Sequence, residues 1–215
     1  MRPGPLRTTR RPSCPARSRL GAIFWLLTVE FFIAQFVAQA AWPGYSMLTN
    51  DISLLGVTRC GTYLNPAPDG IMPVCSPLSL VFNLGMALNG VLVVLGVWFT
   101  RDLWPQTKLK IAALWLLALG GDGTMLAGAF PLDTIPAMHV IGAALALGLA
   151  CFGFMLMAKV VWQTHRAFAI YSLTTGVLAL LGFVLYVAEI YLGGAALSNG
   201  WPPGHKRSGI SSPAR

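Results

Sequence analysis

Five apolar runs of about 20 residues or more constrain this chain more than any motif in it, because a helix rising about 1.5 Å per residue needs that length to cross a bilayer core. They fall at about residues 20–42, 77–99, 109–130, 135–158 and 167–193. In hydrocarbon every backbone N–H and C=O must be satisfied within the protein, so runs of this kind are helices. The alternation of about ten residues that marks a membrane barrel strand is missing from them. Composition agrees: 55% of the 215 residues are hydrophobic, 10% are charged and the mean hydropathy is +0.66, which excludes a water-soluble enzyme. The expected fold class is therefore all-α, a polytopic membrane bundle of five helices over residues 20–193 with an outer loop at 43–76.

The fifteen basic residues set the expected orientation. Six arginines, Arg2, Arg7, Arg10, Arg11, Arg17 and Arg19, precede the first run. Arg101, Lys108 and Lys110 lie in or beside the second connection, and Lys159 and Arg166 flank the fourth. The first connection holds only Arg59 and the third holds no basic residue. The positive-inside rule then places the N-terminus in the cytoplasm, with the protein in the plasma or inner membrane. Residues 1–19 read as a disordered basic tail, rich in Pro and Ser and without a folded platform for nucleic acid. The rival reading of the first run is a signal peptide, since "AQA" at residues 38–40 resembles a cleavage site. A retained helix is the better expectation, because the run is about twice the usual signal length and contains Glu30.

Cys60 and Cys75 share the outer loop, where they either form a disulfide around fourteen intervening residues or remain two thiols. Cys14 and Cys151 have no partner by compartment, and no Cys/His spacing suggests zinc. Ionisable and amide groups within hydrocarbon mark the places where function concentrates. They are Glu30, Gln35 and Gln39 in the first run, Asn83 and Asn89 in the second, Asp122 in the third, His139 in the fourth and Glu189 in the fifth. All except Glu30 and Asn89 fall toward the outer half, the side that also carries Asn50, Asp51, Ser53 and Asp133. A shared outward-facing polar pocket follows as an expectation, lined by Asp51, Ser53, Asn83, Asp122, Asp133, His139 and Glu189. The structural alternatives stand beside it: Asp122 accepting interhelical hydrogen bonds among Gly120, Thr124 and Gly128, and His139 packed as a donor to Asp122 or Asp133.

Three stretches carry a likeness: "YSMLTNDISLLG" after the first helix, "CSPLSLVFNLGMALNGVLVVLGV" opening the second, and "GDGTMLAGAFPLDTIPAMHVIGAAL" across the third and fourth. Together they resemble the bacterial membrane-protein family catalogued as domain of unknown function 998 (DUF998), over roughly residues 20–193. The resemblance implies six helices and leaves the chemistry unassigned. Relatives of this type read I-S-D-L-G where this chain has "ISLLG", so Leu54 replaces an acid and the nearest carboxylate is Asp51. The sixth helix is missing from expectation too: "AALSNGWPPGHKRSGISSPAR" is broken by Gly and Pro and reads as a flexible tail over 194–215. A truncated or frame-shifted end, or a helix supplied by a partner or second copy, would account for this.

Three functional classes remain. The first is a non-enzymatic membrane protein whose outer pocket binds a small ligand or lipid headgroup, with membrane lipids as partners, no cofactor and no resident metal. The second is a membrane-embedded hydrolase, either metal-dependent through Asp122, His139 and Glu189 or using Ser53 as nucleophile with His139 as its only candidate base. The third is a proton-coupled carrier with Glu30 as a midplane relay; the absence of an inverted repeat counts against it.

Overall fold

The computed structural model describes residues 15–48, 50–64 and 71–188; the side chains of Pro15, Leu64, Ile71 and Met72 are not described. Cys14, both sequence-expected tails beyond these bounds and Glu189 lie outside the described residues. Among the described residues five helical spans are long and apolar enough to cross a membrane, at Ala16–Ala40, Ser79–Thr100, Lys108–Ala129, Pro136–Val161 and Arg166–Val187. The protein is thus an all-α integral membrane protein, with one two-stranded ribbon, Gly61–Leu64 (β1) antiparallel to Ile71–Val74 (β2), in its long loop.

Two spans are not continuous α-helix. The first divides into α1 (Pro15–Leu27) and α2 (Glu30–Ala40), separated at Thr28 and Val29. Thr28 Oγ1 donates to the Trp25 carbonyl at 2.7 Å, and the Thr28 carbonyl accepts from Asn89 Nδ2 of α3 (Ser79–Thr100) at 3.2 Å. A hydroxyl bonding back into its own helix and a side chain from a neighbour together take over backbone groups that a break would strand. The fourth span runs as α5 (Pro136–Ala144), a π turn at Leu145–Leu149, and α6 (Ala150–Val161). Pro136 begins it at a position where its missing N–H costs no helical bond.

The spans pack in a row. The first lies on α3, α3 on α4 (Lys108–Ala129), α4 on α5 and α6, and α6 on α7 (Arg166–Val187). Spans α3 and α4 are accordingly the most buried, at 44% and 39%, while the first and fifth are each 17% buried and turn most of their apolar surface outward. Outward Leu, Phe, Val and Trp side chains are what a lipid solvent admits, and association between the helices rests on close backbone approach. At Gly128 a Cβ would stand 2.5 Å from the Ala87 nitrogen and 2.6 Å from the Asn83 carbonyl oxygen; at Gly123 it would stand 2.6 Å from the Gly142 carbonyl oxygen. The small residues of α4 thus seat two neighbours, α3 on one side and α5 on the other.

Each end is knitted differently. At the basic end Arg17 pairs with Asp102 at 3.0 Å, Arg101 covers the Trp98 ring, and Lys110 Nζ donates to Gln106 Oε1 at 2.6 Å and to the Arg101 carbonyl at 3.3 Å. At the other end the long loop folds back into the bundle: Leu54, Leu55, Val57 and Val74 are buried with Ala38, Trp42, Phe82 and Ala127 in one apolar cluster. Cys60 and Cys75 are joined by a disulfide, with Cα atoms 4.2 Å apart, beside the ribbon.

Candidate functional site

The loop-capped end is built from a single turn of 3-10 helix, Ile52–Gly56, whose alternating chemistry decides its pose. Leu54 and Leu55 are fully buried and anchor it; Ser53 between Ile52 and Leu54 is left half-buried at the surface of the bundle. Two side chains pin its backbone. Asn83 Nδ2 of α3 donates to the Gly56 carbonyl at 2.8 Å, and Ser76 Oγ donates to the Leu55 carbonyl at 2.7 Å. A Cβ at Gly56 would run into the Asn83 amide oxygen, so any larger residue there would displace the carboxamide that pins the turn.

The segment just after this turn is clamped by Asp133, from the α4–α5 connection. Its carboxylate accepts from Thr58 N at 3.1 Å, from Thr58 Oγ1 at 2.9 Å and from Arg59 N at 3.1 Å. Hydrogen bonds to an ionised acceptor are stronger than neutral ones, so Asp133 fixes the distance between the loop and α5. His139, one turn into α5, is 4% exposed. Its Nδ1 lies 3.0 Å from the Ala127 carbonyl and 3.1 Å from that of Phe130; its Nε2 lies 3.1 Å from Ser53 Oγ. Carbonyls only accept, so in the neutral ring Nδ1 carries the proton and Nε2 is left to accept the Ser53 hydroxyl.

Three acidities are displaced here. Burial raises the Asp51 carboxyl above its ordinary range, and burial, followed by the charge of Asp51, raises the Tyr45 phenol. The Tyr63 phenol, which donates to the Arg59 carbonyl at 3.0 Å, is raised by burial and then by Asp133, against an opposing effect of Arg59.

Of the residues expected to share a pocket, the structure joins Ser53 and His139 directly and puts Asp133 and Asn83 to work holding the loop against them. Asp51 precedes the 3-10 turn as its extended N-terminal flank without a side-chain cap bond. Asp122 is exposed on α4, and among the described residues no hydrogen bond links it to His139 or Asp133. His139 is therefore partnered by backbone carbonyls and a serine where a carboxylate had been expected, because α5 enters beneath the C-terminal turn of α4 with its carbonyls uncovered. Among the described residues no three His, Cys, Asp or Glu side chains are grouped to hold a metal ion. Gln35 is buried on α2, and Gln39 Oε1, Glu30 Oε1 and Asn83 Oδ1 are buried without a hydrogen-bond partner among the described residues. Glu30 stands at the break of the first span, well apart in sequence from the Ser53–His139 pair.

Thr58 and the carbonyls of Ala127 and Phe130 complete the site and had no signal in the sequence beyond the proximity of Asp133 to His139. No curated protein and no solved structure matches the chain. The family profile described as "Protein of unknown function (DUF998)" matches residues 25–204, which takes in the end of α1, all of α2, the loop that caps the bundle and the four later spans. The chain belongs to the DUF998 family of proteins of unknown function.

Proposed function

We propose that this integral membrane protein uses its loop-capped end as a polar site at headgroup level, and that the site binds the headgroup or ester region of a lipid or a similarly small polar ligand without catalysis. The observation that carries the reading is the Ser53–His139 pair. A buried imidazole with one nitrogen fixed as donor to backbone leaves its other nitrogen, with a half-exposed hydroxyl, as the outward polar group. By the positive-inside rule this end faces away from the cytoplasm of a bacterial cell. The Asp133 carboxylate is taken up by the loop backbone, and the residue after Ser53 in the 3-10 turn is the apolar Leu54.

A second reading is favoured by the same 3.1 Å contact, which is within reach of a nucleophile and its base. In it Ser53 Oγ attacks an ester carbonyl of a lipid while its proton passes to His139 Nε2. The imidazolium returns that proton to the departing alkoxide, and water or another alcohol then takes the acyl group from Ser53.

Labelling the full chain in detergent with a serine-reactive fluorophosphonate, beside native mass spectrometry of co-purified lipids, separates the readings. The binding reading expects retained lipid that is lost in His139→Ala and Ser53→Ala, with no label. Label on Ser53 that disappears in His139→Ala selects the acyl-transfer reading. Neither label nor any lipid that responds to these variants would leave the pair a purely structural contact and sink both.

A further inference from the structure

A cavity of about 600 Å³ opens between α6 and α7 at the basic end, opposite to the Ser53–His139 site. Its wall is apolar at bilayer depth, formed by Met155, Leu156 and Leu173, and its mouth is polar, formed by Lys159, Trp162 and Gln163. That gradation follows the helix: Lys159 lies in the last turn of α6 and Trp162 and Gln163 just beyond it. We propose that this groove is a binding site for an anionic phospholipid, with one acyl chain against the methionine and leucine wall and the phosphate at Lys159.

Charge complementarity argues for that occupant. From Thr134 to Ala188 the sequence contains no Asp or Glu, while it holds Lys159, His165 and Arg166. The ion pairs among the described residues involve Arg17, Arg101 and Asp102, so the Lys159 ammonium has no carboxylate partner there. Arg166 lies over the Trp162 ring, 5.5 Å from its centroid, and adds a second cation at the same mouth. Attraction of Lys159 to the C-terminal dipole of α6 explains a base in this turn. It does not explain an apolar cleft directly beneath that base and an indole beside it, the arrangement by which basic clefts between spanning helices receive anionic headgroups. A zwitterionic lipid would bring its own cation to a mouth that already has two.

The test is native mass spectrometry of the full chain released from detergent after equilibration with phosphatidylglycerol or phosphatidylcholine of identical chains. The wild-type protein is expected to retain phosphatidylglycerol preferentially, by roughly tenfold, the scale of one lost charge-assisted contact. Lys159→Gln should weaken the preference, Lys159→Gln together with Arg166→Gln should abolish it, and Met155→Trp should abolish retention by filling the cleft. Lys108→Gln removes a base at the same end, outside the groove, and should change neither. Equal retention of the two lipids, or a preference that survives these groove variants, overturns the site. Loss of preference in Lys108→Gln to the same extent would overturn it as well, by showing that net charge at this end suffices. Displacement of phosphatidylglycerol by millimolar inorganic phosphate would show that the apolar wall contributes nothing, and so that a phospholipid is not the ligand.

Discussion

Ser53 Oγ lies 3.1 Å from His139 Nε2, although 86 residues separate the two in the chain, and the imidazole is held from behind by the carbonyls of Ala127 and Phe130. The two sides of this ring have unequal structural weight. His139→Ala strands two carbonyls at a buried position and opens a cavity, which is expected to destabilise the protein by about 2–4 kcal/mol. Ser53→Ala removes one hydroxyl at a half-buried position and should cost less than about 1 kcal/mol. Thermal unfolding of the two variants in the same detergent measures the difference; equal losses would mean that the carbonyl bonds do not hold the ring.

Asp133 is the clamp on the loop, through hydrogen bonds to Thr58 N, Thr58 Oγ1 and Arg59 N. Asp133→Ala is expected to cost about 1–3 kcal/mol, because two backbone donors lose a charged acceptor near the surface. Amide hydrogen exchange at Thr58 and Arg59 should accelerate selectively, while exchange in α3 and α4 stays slow. Uniform acceleration across the bundle would count against a local clamp.

The Cys60–Cys75 disulfide spans 15 residues of sequence, and chain-entropy reasoning assigns such a loop closure about 3 kcal/mol. Reduction, or a Cys60→Ser/Cys75→Ser double variant, is therefore expected to lower the unfolding midpoint of the loop-capped end. The five spans should persist, since none depends on the bridge, and circular dichroism of the reduced protein should show unchanged helix content at ambient temperature.

Glycines divide by what a methyl group would meet. Gly128→Ala drives a Cβ into the Ala87 nitrogen and the Asn83 carbonyl of α3, and should destabilise by about 1–3 kcal/mol. Gly182→Ala on α7 meets nothing within 4 Å and should be neutral or stabilising, by up to about 1 kcal/mol from helix propensity. A paired comparison of unfolding midpoints decides, and the reverse order would refute the α3–α4 contact.

Asp51 predicts a pH dependence of uncommon sign. Burial raises its carboxyl above the ordinary value near 3.8, so the folded loop keeps its proton to a higher pH than the unfolded chain does. Within that window the native state binds more protons, and stability falls as pH rises from about 3.8 through the native value; above both, the full penalty persists. Asp51→Asn should flatten stability across this window and raise it at neutral pH. A flat wild-type profile there would disprove the shift.

Length and hydropathy determined the architecture by themselves. A solvent that satisfies no backbone group leaves helix as the only form for five such runs, so spans expected at 77–99 and 109–130 appear as Ser79–Thr100 and Lys108–Ala129. The same sequence marked Ser53, Asp133 and His139 as polar groups of one end, because hydropathy gives depth along each helix. Depth carries no azimuth, however. Only tertiary packing decided that Asp122 faces out while His139 faces in. The decision rests on Gly123 and Gly128, which let α5 and α3 approach α4 on the faces that those glycines occupy. The break at Thr28 was likewise invisible, since it depends on Asn89 from another helix to take the freed carbonyl. The opposition of Ser53 to His139 was decided last and by the longest-range contacts: burial of Leu54 and Leu55, the Asn83 bond to Gly56 and the Asp133 clamp together set a loop whose own residues specify only a turn.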